Sequence, residues 1–158
     1  MSGTLVLGIG NRLGCDDAAG PSVADMLNGR ERQAEPPLPT DITAIDVATA
    51  PESYTSTIRS QHPDLLILID AADMRLPPGT VRLIPPEKLS TLSFSTHHIP
   101  LATFVSYVDE FCGQVLLIGV QPYRMEIGER ISQVVRRSLE SLCEIILQGR
   151  TAEIAPLE

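Results

Sequence analysis

No apolar run in this 158-residue chain approaches the roughly 20 residues that a membrane-spanning helix needs, so no membrane partner is expected. Basic residues are scarce as well. Twelve Lys and Arg face twenty Asp and Glu, giving a formal net charge of −8 and an isoelectric point near 4.8. Such a surface lacks the cationic footprint that phosphate backbones and anionic lipids select, and no nucleic-acid partner is expected. The start, Met1-Ser2-Gly3-Thr4, carries no basic lead-in of a secretory signal, so a cytoplasmic location is expected. Cysteine is too sparse for either of its structural uses. Cys15, Cys112 and Cys143 are odd in number, far apart and without any CxxC, which argues against a disulfide framework and a thiolate zinc site.

What is present points to one α/β domain spanning residues 1–158. The chain is 43% hydrophobic, enough to bury a sizeable core, and its length suits a single domain. Thr4 to Ile9, Ile42 to Val47, Leu65 to Ile69, Thr80 to Ile84 and Gln114 to Val120 read as strands. Between them, Val23, Met26 and Leu27 mark a helix face, with Asp17 placed as its N-cap and Pro21 in its first turn. Gly29 to Thr40 reads as a surface loop. A short helix is expected from Pro51 to about Gln61, another after Pro100, and a long one through Ile131, Val134, Val135, Leu139, Leu142 and Ile146. Continuous apolar strands alternating with helices predict a three-layer sandwich: a mostly parallel, twisted five-stranded sheet with helices on both faces. The fourth strand follows a short turn and is expected antiparallel, at an edge.

Sites in such sheets form beyond the carboxyl ends of the strands. Three segments fall there: the turn from Gly8 to Asp17, Asp70 after the apolar run Leu65–Ile69, and the pair His97-His98. Gly8-x-Gly10 is no dinucleotide fingerprint, because the position of its third glycine holds Leu13, and Asp16 and Asp17 would repel a phosphate. An acidic pair attracts a cation instead. Two carboxylates and an imidazole make a plausible three-ligand divalent site, and the oxygen and nitrogen donors admit zinc, nickel or similar ions. Each residue also has a structural reading: Asp17 as a helix cap, Asp70 as a cap on the next segment, either histidine as a solvated loop residue, Asp46 as a turn residue. Cys15 reads as a small packing residue, and Asp73 and Met74 as loop decoration.

At these residues the chain resembles the nickel–iron hydrogenase maturation endopeptidases, closest to the branch acting on formate-hydrogenlyase-type large subunits. The likeness runs through Gly8-Ile9-Gly10-Asn11 to Asp16-Asp17 and Gly20, then Asp46 to Glu52, Leu68-Ile69-Asp70, Ser95 to Leu101, and Ile118-Gly119-Val120-Gln121-Pro122. It implies an endopeptidase that removes a C-terminal extension from a nickel-loaded large-subunit precursor, nickel being the recognition signal. It also implies that Asp17, Asp70 and His97 are both the metal-contacting and the catalytic residues, with Asp46, Gly10, Asn11 and Asp16 in support. Nickel then arrives with the substrate, no cofactor is permanently bound, and zinc or cadmium can occupy the site in vitro. A monomer acting on a transient complex with the precursor is expected. Relatives usually follow the aspartate at position 46 with glycines, where this chain has Val47-Ala48. If those glycines supply a positive φ, the loop here is expected to run differently. That departure is the best support for an alternative, a non-hydrolytic nickel-checkpoint protein on the same fold. Peptidyl-tRNA hydrolase shares the opening strand and Gly-x-Gly-Asn turn, but the net charge offers no channel for tRNA.

Overall fold

The computed structural model describes residues 3–33, 41–94 and 100–158. Five strands, β1 (Thr4–Ile9), β2 (Ile42–Ala48), β3 (Leu65–Ala71), β4 (Val81–Leu83) and β5 (Gln114–Val120), form one sheet in the order β2-β1-β3-β5-β4. All pairings are parallel except β4 with β5, which is antiparallel at the edge. The expected edge strand is therefore there, but it pairs with β5 and not with its sequence neighbour β3.

Among the described residues, four α-helices cover the sheet: α1 (Ala19–Gln33), α2 (Thr55–Gln61), α3 (Leu101–Val108) and α4 (Gln133–Leu147). Side-chain alternation along the strands sorts the core into two layers. Val6, Ile67, Ile69, Ile118 and Val120 pack with Val23 and Leu27 of α1 and with Val135, Leu139 and Leu142 of α4. On the other face, Leu5, Leu7, Leu66, Leu68 and Leu117 pack with Ile58 of α2 and with Leu101, Phe104 and Val108 of α3. Both faces being covered, the central strands β1, β3 and β5 are apolar along most of their length, and each fully buried Leu or Ile contributes about 1.5–3 kcal/mol. No helix among the described residues is long and apolar enough to cross a membrane.

Three features differ from expectation. α1 runs through Gly29 to Gln33, because Arg, Glu and Gln are strong helix formers and one interior glycine costs only about 1 kcal/mol. The rest of the expected loop, 34–40, lies outside the described residues. Val134 is 44% exposed, turned away from the buried stripe of α4, and Ile131 precedes that helix. Met74 is no decoration: it is buried in the layer under α3.

Candidate functional site

Two bare backbones bring the first loop onto the strand ends. A Cβ on Gly8 would lie 2.1 Å from the carbonyl oxygen of Gly20, and one on Gly20 would lie 2.5 Å from that of Ile69. The start of α1 can therefore press against β1 and β3, which folds residues 10–18 over the carboxyl end of the sheet. Asn11 shapes that loop: its side-chain oxygen accepts the Leu13 N–H at 2.9 Å and its carbonyl accepts the Gly14 N–H at 3.1 Å. Gly10 donates its N–H to the carbonyl of Ala48 at 2.8 Å, joining the loop to β2.

The acidic pair divides its work. Asp16 is fully buried, and its carboxylate accepts the backbone N–H groups of Tyr123, Arg124 and Ser132 at 2.7–3.0 Å and the Ser132 hydroxyl at 2.8–2.9 Å. Burial works against the anion, but the donors from Ser132, Arg124 and Tyr123 outweigh it and hold the carboxyl below its ordinary range. Asp16 thus fastens the segment after β5 to the first loop. Asp17 lies in the short 3₁₀ turn Cys15–Ala18 and is partly exposed. It does not cap α1 as expected. The 3₁₀ turn leads directly into α1 at Ala19, two residues beyond Asp17, and the Asp17 Oδ2 reaches back to accept the Asn11 N–H at 3.2 Å. Beside them Cys15 is buried, its thiol against the Arg130 carbonyl at 3.0 Å. Burial first, and the Asp16 charge second, push that thiol up, which disfavours the thiolate and agrees with a packing role.

Asp70 is fully buried near the end of β3, level with Gly119 of β5. The turn carrying Asp17 packs against β3, so both carboxylates belong to the same end of the sheet. His97 and His98 lie outside the described residues. Among the described residues, no three His, Cys, Asp or Glu side chains are grouped to hold a metal.

Asp46 sits within β2 where the pairing to β1 slips: Gly8 faces Asp46, but Ile9 faces Ala48. This bulge turns β2 at the rim. Ala48 takes a left-handed φ of +52°, held by its N–H donating to Asp46 Oδ1 at 2.9 Å and by its carbonyl accepting from Gly10. The alanine at this position adopts a positive φ itself, at a cost of roughly 1–2 kcal/mol.

Sequence reading missed Arg12. Its Nη1 and Nη2 donate to the two carboxylate oxygens of Asp25 on α1, each at 2.7 Å, and its Nε donates to Asp46 Oδ2 at 2.5 Å. These bonds, chiefly the one to Asp25, raise its basicity further. A basic residue inside the glycine loop of an acidic chain was the available signal. Gln121 was seen only as part of a turn. It is buried, and its amide oxygen accepts the Met74 N–H at 2.6 Å while its amide nitrogen donates to Asp73 Oδ1 at 3.2 Å. It ties the segment after β3 to the segment after β5.

Between these pieces opens a cleft of about 370 Å³, with Gly10, Asn11, Arg12 and Asp17 on one side and Asp46 and Ala48 on the other. Large apolar side chains stand exposed around the same first loop and the segment Asp16 fastens: Leu13, Tyr123, Met125 and Ile127 are 67%, 57%, 47% and 80% exposed. The Gly128 N–H bonds the Leu13 carbonyl at 2.8 Å, which links the two segments. A carboxylate cleft beside an exposed apolar rim suits a macromolecular ligand.

Comparison with known proteins gives a consistent picture. Residues 21–149 match the family model described as hydrogenase maturation protease. The hydrogenase 3 maturation protease of Escherichia coli K12 is 31% identical over 139 residues, which is 87% of this chain and 85% of that one. The solution structure of the E. coli endopeptidase HycI superposes with a TM-score of 0.84 at 29% identity, covering 100% of this chain and 97% of that chain. The crystal structure of the NiFe hydrogenase maturation protease HycI from Thermococcus kodakarensis gives 0.79 at 31% identity, covering 94% and 92%.

Proposed function

The chain belongs to the hydrogenase maturation protease family, and from that premise we propose that it is an endopeptidase removing the C-terminal extension of a nickel-loaded hydrogenase large-subunit precursor. The observation that carries this reading is the partly exposed Asp17 carboxylate in an open cleft, at the sheet end where Asp70 also stands.

Nickel comes with the precursor and is part of the substrate. Asp17, Asp70 and His97 are the residues that meet it, and their oxygen and nitrogen donors suit a divalent ion of that kind. Zinc or cadmium can take the same donors in vitro. The bound ion supplies Lewis-acid polarisation of the scissile carbonyl. The chain's own part is to hold the peptide beside Asp17 and to accept a proton from the attacking water on a carboxylate oxygen. Cys15, buried and with its thiol pushed up, takes no part. The exposed apolar residues at 13 and 123–127 support a protein substrate, received over a wide surface. Asp16 serves from beneath, by fixing the segment that carries three of those four residues. Gly10 and Asn11 serve by shaping the loop on which Asp17 is held.

The alternative of a non-hydrolytic nickel-checkpoint protein drew its support from Val47-Ala48. Ala48 takes a positive φ without a glycine, so the residue change by itself does not exclude a turn that needs one. The test is intact-mass analysis of a nickel-loaded precursor incubated with the protein, beside a nickel-free control. Loss of a C-terminal peptide from the nickel-loaded sample alone is expected. Complex formation with unchanged mass in both samples would overturn the proposal in favour of the checkpoint reading.

A further inference from the structure

All three guanidinium nitrogens of Arg12 donate to carboxylates in this structure. The two terminal nitrogens bind Asp25 in a parallel fork, and the remaining nitrogen, Nε, binds Asp46. Three separate parts of the fold, the first loop, α1 and β2, are joined through this one side chain. An arginine side chain half exposed to solvent would ordinarily sample many rotamers, but two carboxylates on different elements fix this one. Asp46 is fixed in turn: one oxygen holds Arg12 and the other holds the N–H of Ala48, the residue with the left-handed φ at the rim. Of the two carboxylates lining the cleft, Asp46 is therefore occupied on both oxygens and paired with a cation. Asp17 is the other carboxylate of that lining, and the one that the proposed function sets at the substrate.

We propose that Arg12 is a positioning residue for peptide cleavage, acting by locking Asp46 and the Ala48 turn so that the substrate is received at Asp17 and not at Asp46. The proposal rests on the endopeptidase reading above. Without Arg12, Asp46 is released to turn into the cleft and compete for the incoming cation and peptide N–H groups. Lysine cannot replace it, because a single ammonium group cannot form the fork to Asp25 and also reach Asp46 in a fixed plane. Nor is this a matter of stability, since exposed ion pairs contribute little to folding.

The test compares Arg12→Met, Arg12→Lys, Asp46→Asn and the double variant Arg12→Met/Asp46→Asn on nickel-loaded precursor. kcat and KM are measured separately, alongside thermal midpoints and amide exchange at Ala48. Arg12→Met is expected to lower kcat/KM about tenfold, with KM changing more than kcat, while the midpoint stays close to wild type. Arg12→Lys is expected not to restore it, and in the Asp46→Asn background the Met substitution should add nothing further. Full rescue by lysine, or effects that multiply in the double variant, would overturn the proposal. If wild type itself leaves the precursor uncut, the endopeptidase reading fails. The Ala48 amide then still decides the local claim: faster exchange in Arg12→Met supports the lock, and unchanged exchange refutes it.

Discussion

Asp16 and Asp17 are adjacent in the chain and opposite in use. Asp16 is sealed from water and answered by donors from residues more than a hundred positions away, while Asp17 stands partly exposed in the cleft, held lightly by the Asn11 amide. The difference teaches that an acidic pair at a strand end need not be one functional unit. One carboxylate is buried in a ring of donors that hold the architecture together, while the next stands partly exposed at the cleft. Burial alone does not sort the other two acids: Asp70 is fully buried at the sheet end, whereas Asp46, at the rim, is bonded by Arg12 and Ala48.

The comparison can be broken or sharpened by substitution. The largest effect is expected at the working carboxylates. Asp70→Asn should reduce precursor cleavage by about a thousandfold, equivalent to ~4 kcal/mol of transition-state stabilisation, while circular dichroism stays that of the wild type. Next comes the anchor. Asp16→Ala leaves three backbone N–H groups and a hydroxyl without their acceptor. It should cost on the order of 3 kcal/mol and lower the thermal midpoint by roughly 10 °C, read by calorimetry.

Acid gives the same contrast a pH signature. Because the folded state holds Asp16 below its ordinary value of 3.8, its contribution is complete above that value and is lost as pH falls through the lower, folded one. The midpoint gap between wild type and Asp16→Asn should therefore be constant at about pH 5–7 and narrow below about pH 4. The smallest effect belongs to the strained turn. Ala48→Gly relieves the left-handed φ and should stabilise the protein by about 1 kcal/mol, raising the midpoint by roughly 3 °C; no change would mean that alanine carries no strain there.

Much of the sheet was legible in the sequence because strands buried on both faces are apolar along their whole length, as in Leu65–Ile69 and Gln114–Val120. The partner of β4 was not, since three residues between prolines say nothing of which neighbour they meet. The far end of α1 was hidden because the polar residues after Gly29 give no periodic apolar signal, although they are good helix formers. At the site, glycine spacing and carboxylates at strand ends marked Asp17, Asp46 and Asp70 by position. What sequence could not show is which carboxylates are already occupied. That depends on partners remote in the chain, Ser132 and Tyr123 for Asp16 and Arg12 for Asp46. The resemblance to the family named His97, which lies outside the described residues. It also drew attention to Val47-Ala48, where Ala48 takes a left-handed φ of the kind that favours glycine.

The division of the acidic pair is tested most directly by preparing Asp16→Asn and Asp17→Asn side by side and measuring, on each, the thermal midpoint and the rate of precursor cleavage well below that midpoint. The account predicts that Asp17→Asn melts like the wild type and does not cleave, whereas Asp16→Asn melts markedly lower and still cleaves in the cold. A stable, inactive Asp16→Asn together with an active Asp17→Asn would contradict it.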